Sequence, residues 1–585
     1  MENGEDTNGV AAEGGDDGTI VKSPWASHAD SIVTPDVSAA DYLLGALSMN
    51  QEYFKHKPWV VDVIRKKSIL FSEIEPFSYR IASALTKMGF QKGDWLYFVT
   101  YEVALIYVVH IGVWRCGGAV RGCYQNEEEE EFQRQLEETR ARFVLCDRET
   151  AAKIKRVINR LSWPVTLLSV GGVVTGATSI EDMIEKDDGS AFPRDVKINP
   201  KEDVITVPNT SGSTGRPKGA MHTHHNIVSF MQNMGGPKKL QKAPETESLL
   251  TLMGNFSVGA FMHTCMAIIF GYSLISISKY NKHSFMSHVL SYKPNSIALY
   301  HYVASWLANS GELLKHDMSF LKCIICGGSI FDISTLQKIS EAIPHIKIYQ
   351  SYGTSETLVV TTTGSPACEG GCPSIAGLKK ATIKEGENTR IHVTTGVLFP
   401  QAEGKIVDVD TGHALKRGSI GRLFLRCPFI MKGYMSHEGE KENTSVVDAD
   451  GWYDTGDHGF FDESDNLYIV ERSNLIFKYY MHQVSPVEIE AVIAEHPDVL
   501  SVGVVALPNP ETTSLARAYV VRKPGKSVTE DEVLLHVAGK LEFYKHLHGG
   551  VKFVSYLPIN SGGKLDRKEL HDKAIKEMQH MVKTL

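Results

Sequence analysis

Strand-length runs rich in β-branched and aromatic residues alternate with helix-length amphipathic segments over most of this chain, and that alternation limits the folds open to it. Residues 95–100 (WLYFVT), 142–146 (RFVLC), 165–170 (VTLLSV) and 322–326 (KCIIC) read as strands, with helical patterns such as 129–139 and 148–160 between them. Strand, helix and strand in succession make a βαβ unit, so the sheets are predicted to be mainly parallel. The most apolar stretch, 103–114, is interrupted by His110 and is shorter than the roughly 20 residues a membrane span requires. It reads as a buried helix, and no integral membrane segment is predicted.

Near residue 400 the texture changes. Residues 404–408 (GKIVD), 422–426 (RLFLR) and 467–470 (LYIV) are short strands separated by turn residues, which predicts a small antiparallel subdomain. Beyond Arg472 comes a second series, with helices at 484–494 and 530–541 and strands at 502–507 and 518–521. The predicted fold is α/β: a large N-terminal domain of βα-layered sheets plus the small antiparallel subdomain, and a smaller, mobile α+β C-terminal lid. The boundaries read as an acidic tail at 1–35, too polar to bury anything and so disordered, an N-terminal domain at 36–472, a hinge at 473–475 and the lid at 476–585.

Composition removes several classes of function. A net charge of −8 lacks the basic footprint of a nucleic-acid binder, so no nucleic-acid partner is expected. Nine cysteines, an odd number spread over 585 residues, argue against a disulfide-stapled scaffold and for a reducing compartment. The first residues are acid and glycine where a secretory signal needs a basic start and an apolar run. Lys583-Thr584-Leu585 lacks the Ser-Lys-Leu pattern of a peroxisomal address. The expected location is the cytoplasm, with the peroxisome as the alternative.

Residues 209–219, NTSGSTGRPKG, directly follow the strand-like 204–207. Hydroxyl and glycine residues in such a loop turn backbone N–H groups and side-chain oxygens onto an anion, and Lys218 adds a mobile positive charge. The pattern is not the Walker A loop, which ends in Gly-Lys-Ser/Thr and runs straight into a helix. A flexible Ser/Gly linker is the plain alternative, and Pro-Lys-Gly at its end with a strand at its start speaks against it.

This loop resembles the signature loop of the adenylate-forming superfamily, which holds acyl-CoA synthetases, coumarate–CoA ligases, beetle luciferases and the adenylation domains of peptide synthetases. Four further segments resemble that family's motifs in the same order: 349–357 (YQSYGTSET), 451–457 (GWYDTGD), Glu471-Arg472, and 558–566 (PINSGGKLD). The resemblance covers the chain from about Tyr42 onward. It implies activation of a carboxylic acid, fatty or arylalkenoic, as its acyl-adenylate with release of pyrophosphate, then thioester formation with CoA. ATP, Mg²⁺ and CoA are thereby implied as cofactor and co-substrates.

Roles follow from the same resemblance. Thr210, Ser211, Gly212, Ser213, Thr214, Gly215 and Lys218 would hold the β- and γ-phosphates. Glu356 would help place Mg²⁺, which takes few carboxylates plus phosphate oxygens. Tyr352 would stack on adenine, with Gln350, Ser351, Gly353 and Ser355 beside it and Gly327-Gly328-Ser329 along the opposite edge. Asp457 would accept from the ribose hydroxyls and Arg472 would donate to the same sugar. Lys564 would neutralise the carboxylate and the bridging oxygen as the adenylate forms. Asn474 occupies the pivot position, and Lys478 would wall the pantetheine tunnel. Lys564, Lys218 and Glu356 are the implied catalytic residues.

The chain departs from the family pattern in two places. Relatives read Lys-Tyr-Lys-Gly-Tyr/Phe-Gln where this chain reads 478–483, KYYMHQ, so Tyr480 and Met481 replace a basic residue and a glycine on the thiol path. Relatives in this branch often carry an aromatic–histidine pair where this chain reads 253–258, MGNFSV. With His301-Tyr302, residues 327–331 and Ser355 also walling the pocket, Phe256, Val258 and Phe331 suggest an apolar acid. Two rival readings follow: a luciferase-like oxygenase acting on an adenylated acid, and an adenylation-only or non-catalytic relative with impaired CoA use. His222, His224 and His225 follow the loop where relatives carry Thr-His-x-Asn, and the Cys323–Cys326 and 368–372 pairs read as structural rather than metal ligands. The acidic run 127–131 reads as a solvated helix start.

Overall fold

The structure, a computed structural model, describes all residues except 1–18, 26–30, 126, 211–217, 237–246, 329–330, 332, 365–378, 386–387, 436–445, 473–474, 476, 480–481, 510, 560–563 and 585. Among the described residues the N-terminal domain holds two nine-stranded sheets. In the first, Thr166–Ser169, Phe143–Cys146, Trp95–Val99 and Ala119–Gly122 run parallel side by side. In the second, Pro58–Asp62, Ser273–Ser276, Ser248–Thr251, Ser296–Leu299, Cys323–Cys326 and Lys347–Thr354 do the same. Such strands are covered on both faces, and Phe143–Cys146 and Ala119–Gly122 are buried at every residue.

The expected buried helix is Leu105–Arg115, and each residue from Leu105 to Trp114 is buried. Its first turn is capped by the carboxylate of Glu102, which accepts from the N–H groups of Ala104, Leu105 and Ile106 at 3.0, 2.9 and 2.8 Å. Burial pushes that carboxyl up to about 7 even though the three donors pull it down. Trp114 donates from its indole to the Ile205 carbonyl at 3.0 Å, tying this helix to the strand before the phosphate loop. No helix among the described residues is long and apolar enough to cross a membrane.

Both sheets turn antiparallel at the edge, and the candidate site is built there. Lys218–Thr223 runs back along Val204–Thr206, and Leu358–Thr362 runs back along Lys347–Thr354. The change of texture near residue 400 corresponds to an antiparallel sheet ordered Ile20–Lys22, Glu403–Val407, Gly421–Arg426, Tyr453–Phe461, Leu467–Arg472. The first of these strands corrects the expectation that 1–35 is disordered throughout. Ile20, Val21 and Lys22 pair with Lys405, Gly404 and Glu403, and Ser23 donates to the Leu398 carbonyl at 2.7 Å. An open sheet edge offers unpaired backbone groups, and a short apolar segment satisfies them.

The C-terminal unit packs Pro486–Ala494, Glu530–Ala538 and Arg567–Thr584 around Val499–Asn509 and Thr513–Arg522. Val499–Asn509 lies against the N-terminal domain's helix His301–Ser310. The acidic start at 127–131 is more than a solvated face. Glu129 pairs with Arg156 and Arg160, and Glu131 with Arg134.

Candidate active site

The phosphate loop hangs from a two-residue hairpin base, in which Thr210 pairs with Lys218 and Asn209 with Gly219. Thr210 is buried there. The rest of the predicted cradle, Ser211, Gly212, Ser213, Thr214 and Gly215, lies outside the described residues, as does Ser329. The Lys218 ammonium stands 5.2 Å from the ring centroid of Tyr434. Tyr434 is itself held beside it, because Gly433–Tyr434 pairs with the Lys218–Thr223 strand.

The second edge delivers the acid of the site. Strand Lys347–Thr354 ends in a tight turn over 355–357 and returns as Leu358–Thr362. Thr354 and Thr357 hold that turn together: Thr357 Oγ1 accepts from Thr354 N at 3.1 Å, and Thr354 Oγ1 accepts from Glu356 N at 3.2 Å. Gly353 is required just before it, since a Cβ there would fall 1.8 Å from the Leu358 carbonyl oxygen. Ser355 accepts on its carbonyl from His222 Nε2 at 2.7 Å and donates its hydroxyl to the Asn209 carbonyl at 3.5 Å. Turn and loop base are therefore one assembly. Glu356, 8% exposed, accepts from the Tyr434 hydroxyl at 2.7 Å. Burial and the Glu356 charge both push the neighbouring Tyr453 hydroxyl far up, so Tyr453 stays neutral.

Tyr352 and Asp457, predicted separately, meet. The Tyr352 hydroxyl donates to Asp457 Oδ2 at 2.5 Å, and Asp457 is only 2% exposed. Arg472 lies directly opposite Asp457 in the ladder between Tyr453–Phe461 and Leu467–Arg472. Its side chain lies outside the described set, as do those of Lys478 and Tyr302. Asn474, Tyr480 and Met481 are outside it altogether.

From the C-terminal unit, a loop closed by the Ile559–Leu565 bridge carries Lys564 to Gly328. Gly328 has φ +75°, and a Cβ on it would lie 3.7 Å from Lys564 Cε and 3.9 Å from Nζ. Here the left-handed backbone favours glycine, and the lysine stands at ordinary contact distance. Thr210, Lys218, Gly328, Gln350, Ser351, Tyr352, Gly353, Ser355, Glu356 and Lys564 all line one cavity of about 2050 Å³.

The apolar half of that cavity differs from the expected wall. Met253, Ser257, Val258 and Phe331 line it, but Phe256 turns into the core against Tyr124, and Asn255 ties the Thr100 and Glu102 carbonyls at 2.9 and 2.6 Å. The wall is supplied instead by helix Val258–Phe270, N-capped by Ser257 and ended by Gly271 at φ +74°. Val258, Gly259, Met262, His263 and Met266 face the cavity at the i, i+1, i+4, i+5, i+8 spacing of a single helical stripe. That spacing was readable in the sequence. Tyr434 had no comparable local signal.

Residues 49–435 match the AMP-binding enzyme family, and residues 488–564 match the AMP-binding enzyme C-terminal domain. The chain is 28% identical over 522 residues to the peroxisomal OPC-8:0-CoA ligase 1 of Arabidopsis thaliana, covering 87% of this chain and 89% of that protein. It is 30% identical over 410 residues to the 4-coumarate–CoA ligase-like 9 of the same plant, covering 70% and 69%. The solved anthranilate CoA ligase AuaEII in complex with anthranoyl-AMP has a TM-score of 0.77 to this chain at 20% identity, over 94% of this chain and 99% of that one. The ATP-bound MatB from Rhodopseudomonas palustris has a TM-score of 0.74 at 22% identity, over 92% and 99%. At those identities the two structures speak for the fold.

Proposed function

Because this chain belongs to the AMP-binding enzyme family, we propose that it is an AMP-forming acid–CoA ligase acting on an apolar carboxylic acid, fatty or arylalkenoic. The observation that carries this reading is the meeting of Lys564 with Gly328 in a cavity that Glu356 and Tyr352 also line, with the Tyr352 hydroxyl bonded to the buried Asp457 behind it. In the first step a carboxylate oxygen attacks the α-phosphorus of ATP, and the bond to the bridging oxygen breaks to release pyrophosphate. Two anions approach, so positive charge and oriented donors must be in place before they meet.

Lys564 would neutralise the carboxylate and the bridging oxygen, a role its closeness to Gly328 in the cavity supports. Lys218, with Thr210 and the loop residues, takes the outer phosphates. Tyr352 offers its ring to adenine and Asp457 accepts from the ribose, with Arg472 opposite it in the ladder. Glu356 suits Mg²⁺ because it supplies one ordered carboxylate, leaving the other positions to phosphate and water. Bound there, the ion would neutralise phosphate charge. In the second step the CoA sulfur attacks the acyl carbonyl and AMP leaves. Lys478 would line that path, where Tyr480 and Met481 replace the usual basic residue and glycine.

The test is acid-dependent pyrophosphate release over a panel of fatty and aryl acids, with and without CoA. Catalytic release that needs CoA is expected, with acyl-CoA as product. A single-turnover burst that CoA leaves unchanged would sink the ligase reading and make Met481 the residue to revert to glycine.

A further inference from the structure

The cavity's apolar wall contains a histidine ring with one nitrogen unpaired. Helix Val258–Phe270 presents a stripe of Val258, Gly259, Met262, His263 and Met266 that extends about 12 Å at 1.5 Å per residue. Met234 and Met253 complete a methionine-rich surface around it. His263 is partly open to this cavity, yet its Nδ1 is buried without a hydrogen-bond partner. Burial holds the imidazole down to about 4, so at neutral pH it is uncharged, with one donor and one acceptor nitrogen. A half-turn of the ring exchanges its nitrogen and carbon positions, so a nitrogen can face the cavity in either tautomer.

The surroundings hold the helix at this turn and keep the space before the ring adaptable. The His263 carbonyl accepts from the Tyr272 hydroxyl at 3.0 Å, which fixes the helix at this turn. One turn earlier stands Gly259, and the room a side chain would take there is filled by Met253, whose Sδ lies 2.5 Å from the position of a Cβ. An unbranched thioether turns aside at little cost. A buried polar atom left unsatisfied destabilises the site, and a ligand oxygen would relieve that cost.

We propose that His263 is a specificity residue for an oxygenated acyl chain, and that the preferred substrate is an elongated hydroxy- or oxo-acid rather than its plain hydrocarbon parent. This rests on the ligase reading above and names its substrate class. The hydrocarbon body lies along the methionine stripe, and the hydroxyl or carbonyl oxygen bonds the His263 ring.

The experiment compares decanoic and dodecanoic acids with their mid-chain hydroxy and oxo derivatives, measuring kcat/KM for pyrophosphate release in wild type, His263→Leu and His263→Asn. Wild type should favour one oxygenated position over the parent acid by about tenfold, the worth of one hydrogen bond. In His263→Leu the ratio of the two kcat/KM values should fall to about one, and His263→Asn should retain part of the preference. Thermal melting checks that each variant is folded. Release from plain acids with no preference for oxygen, or an equal loss on both acids in His263→Leu, overturns this inference and leaves the ligase reading standing. Release with none of the acids overturns both.

Discussion

The two halves of the cavity are built on different plans. On the nucleotide side the polar side chains already hold one another: Tyr352 bonds Asp457, Tyr434 bonds Glu356, and Gln350 donates to the Thr394 carbonyl at 3.2 Å. The backbone there is packed against backbone, as Gly353 shows: a Cβ added to it would fall 1.8 Å from the Leu358 carbonyl oxygen. On the acid side the wall is rich in methionine, and the His263 ring lacks a partner at Nδ1. Charge developing between two anions must find its partners already oriented, because reorganising them during reaction raises the barrier. An acyl chain offers mostly area and shape, and a deformable surface can follow it.

Substitutions on the two sides should therefore differ in kind. The largest effect belongs to Lys564→Ala, which should lower adenylate formation from acid and ATP by about 10²–10³-fold or more. Thiolysis of preformed acyl-adenylate should stay within a few-fold. If both steps slow alike, the lysine acts in closing the domains rather than on the charge.

Gly353→Ala should come next, with a loss of about 3–5 kcal/mol of stability in denaturant titration, because the new methyl meets a backbone carbonyl that cannot yield. A loss below 1 kcal/mol would show that the turn is not rigid. Tyr434→Phe removes one bond to a buried carboxylate and should cost about tenfold in kcat, with more Mg²⁺ needed for half-maximal rate. An unchanged Mg²⁺ requirement would separate Glu356 from the metal.

The smallest effect is expected on the soft side. Gly259→Ala should change stability by less than about 1 kcal/mol, since its methyl meets the movable Met253 thioether. The change should appear instead as a few-fold lower kcat/KM for the bulkier acids. A stability loss like that of Gly353→Ala would erase the contrast between the two halves.

Much of this site was legible from residue types in order. The turn bearing Glu356, held by Thr354 and Thr357, carries its local geometry in a few adjacent residues. Legibility failed where a role depends on a distant partner. Asn255 and Phe256 sit in the segment expected to wall the acid pocket, yet one ties two carbonyls of residues 100–102 and the other packs on Tyr124. The strand at Ile20–Lys22 was hidden in an acidic, glycine-rich tail because its order comes from the edge of Glu403–Val407.

What the amino-acid order settled by itself was therefore local: strand and helix periods, the short motifs in their order, and the family to which those motifs point. Only the tertiary structure decided that Tyr352 meets Asp457 across 105 residues and Tyr434 meets Glu356 across 78. Only it left His263 facing a cavity rather than a hydrogen-bond partner. Periodicity and turn chemistry act between near neighbours, whereas such pairings depend on how whole sheets turn back at their edges and stack.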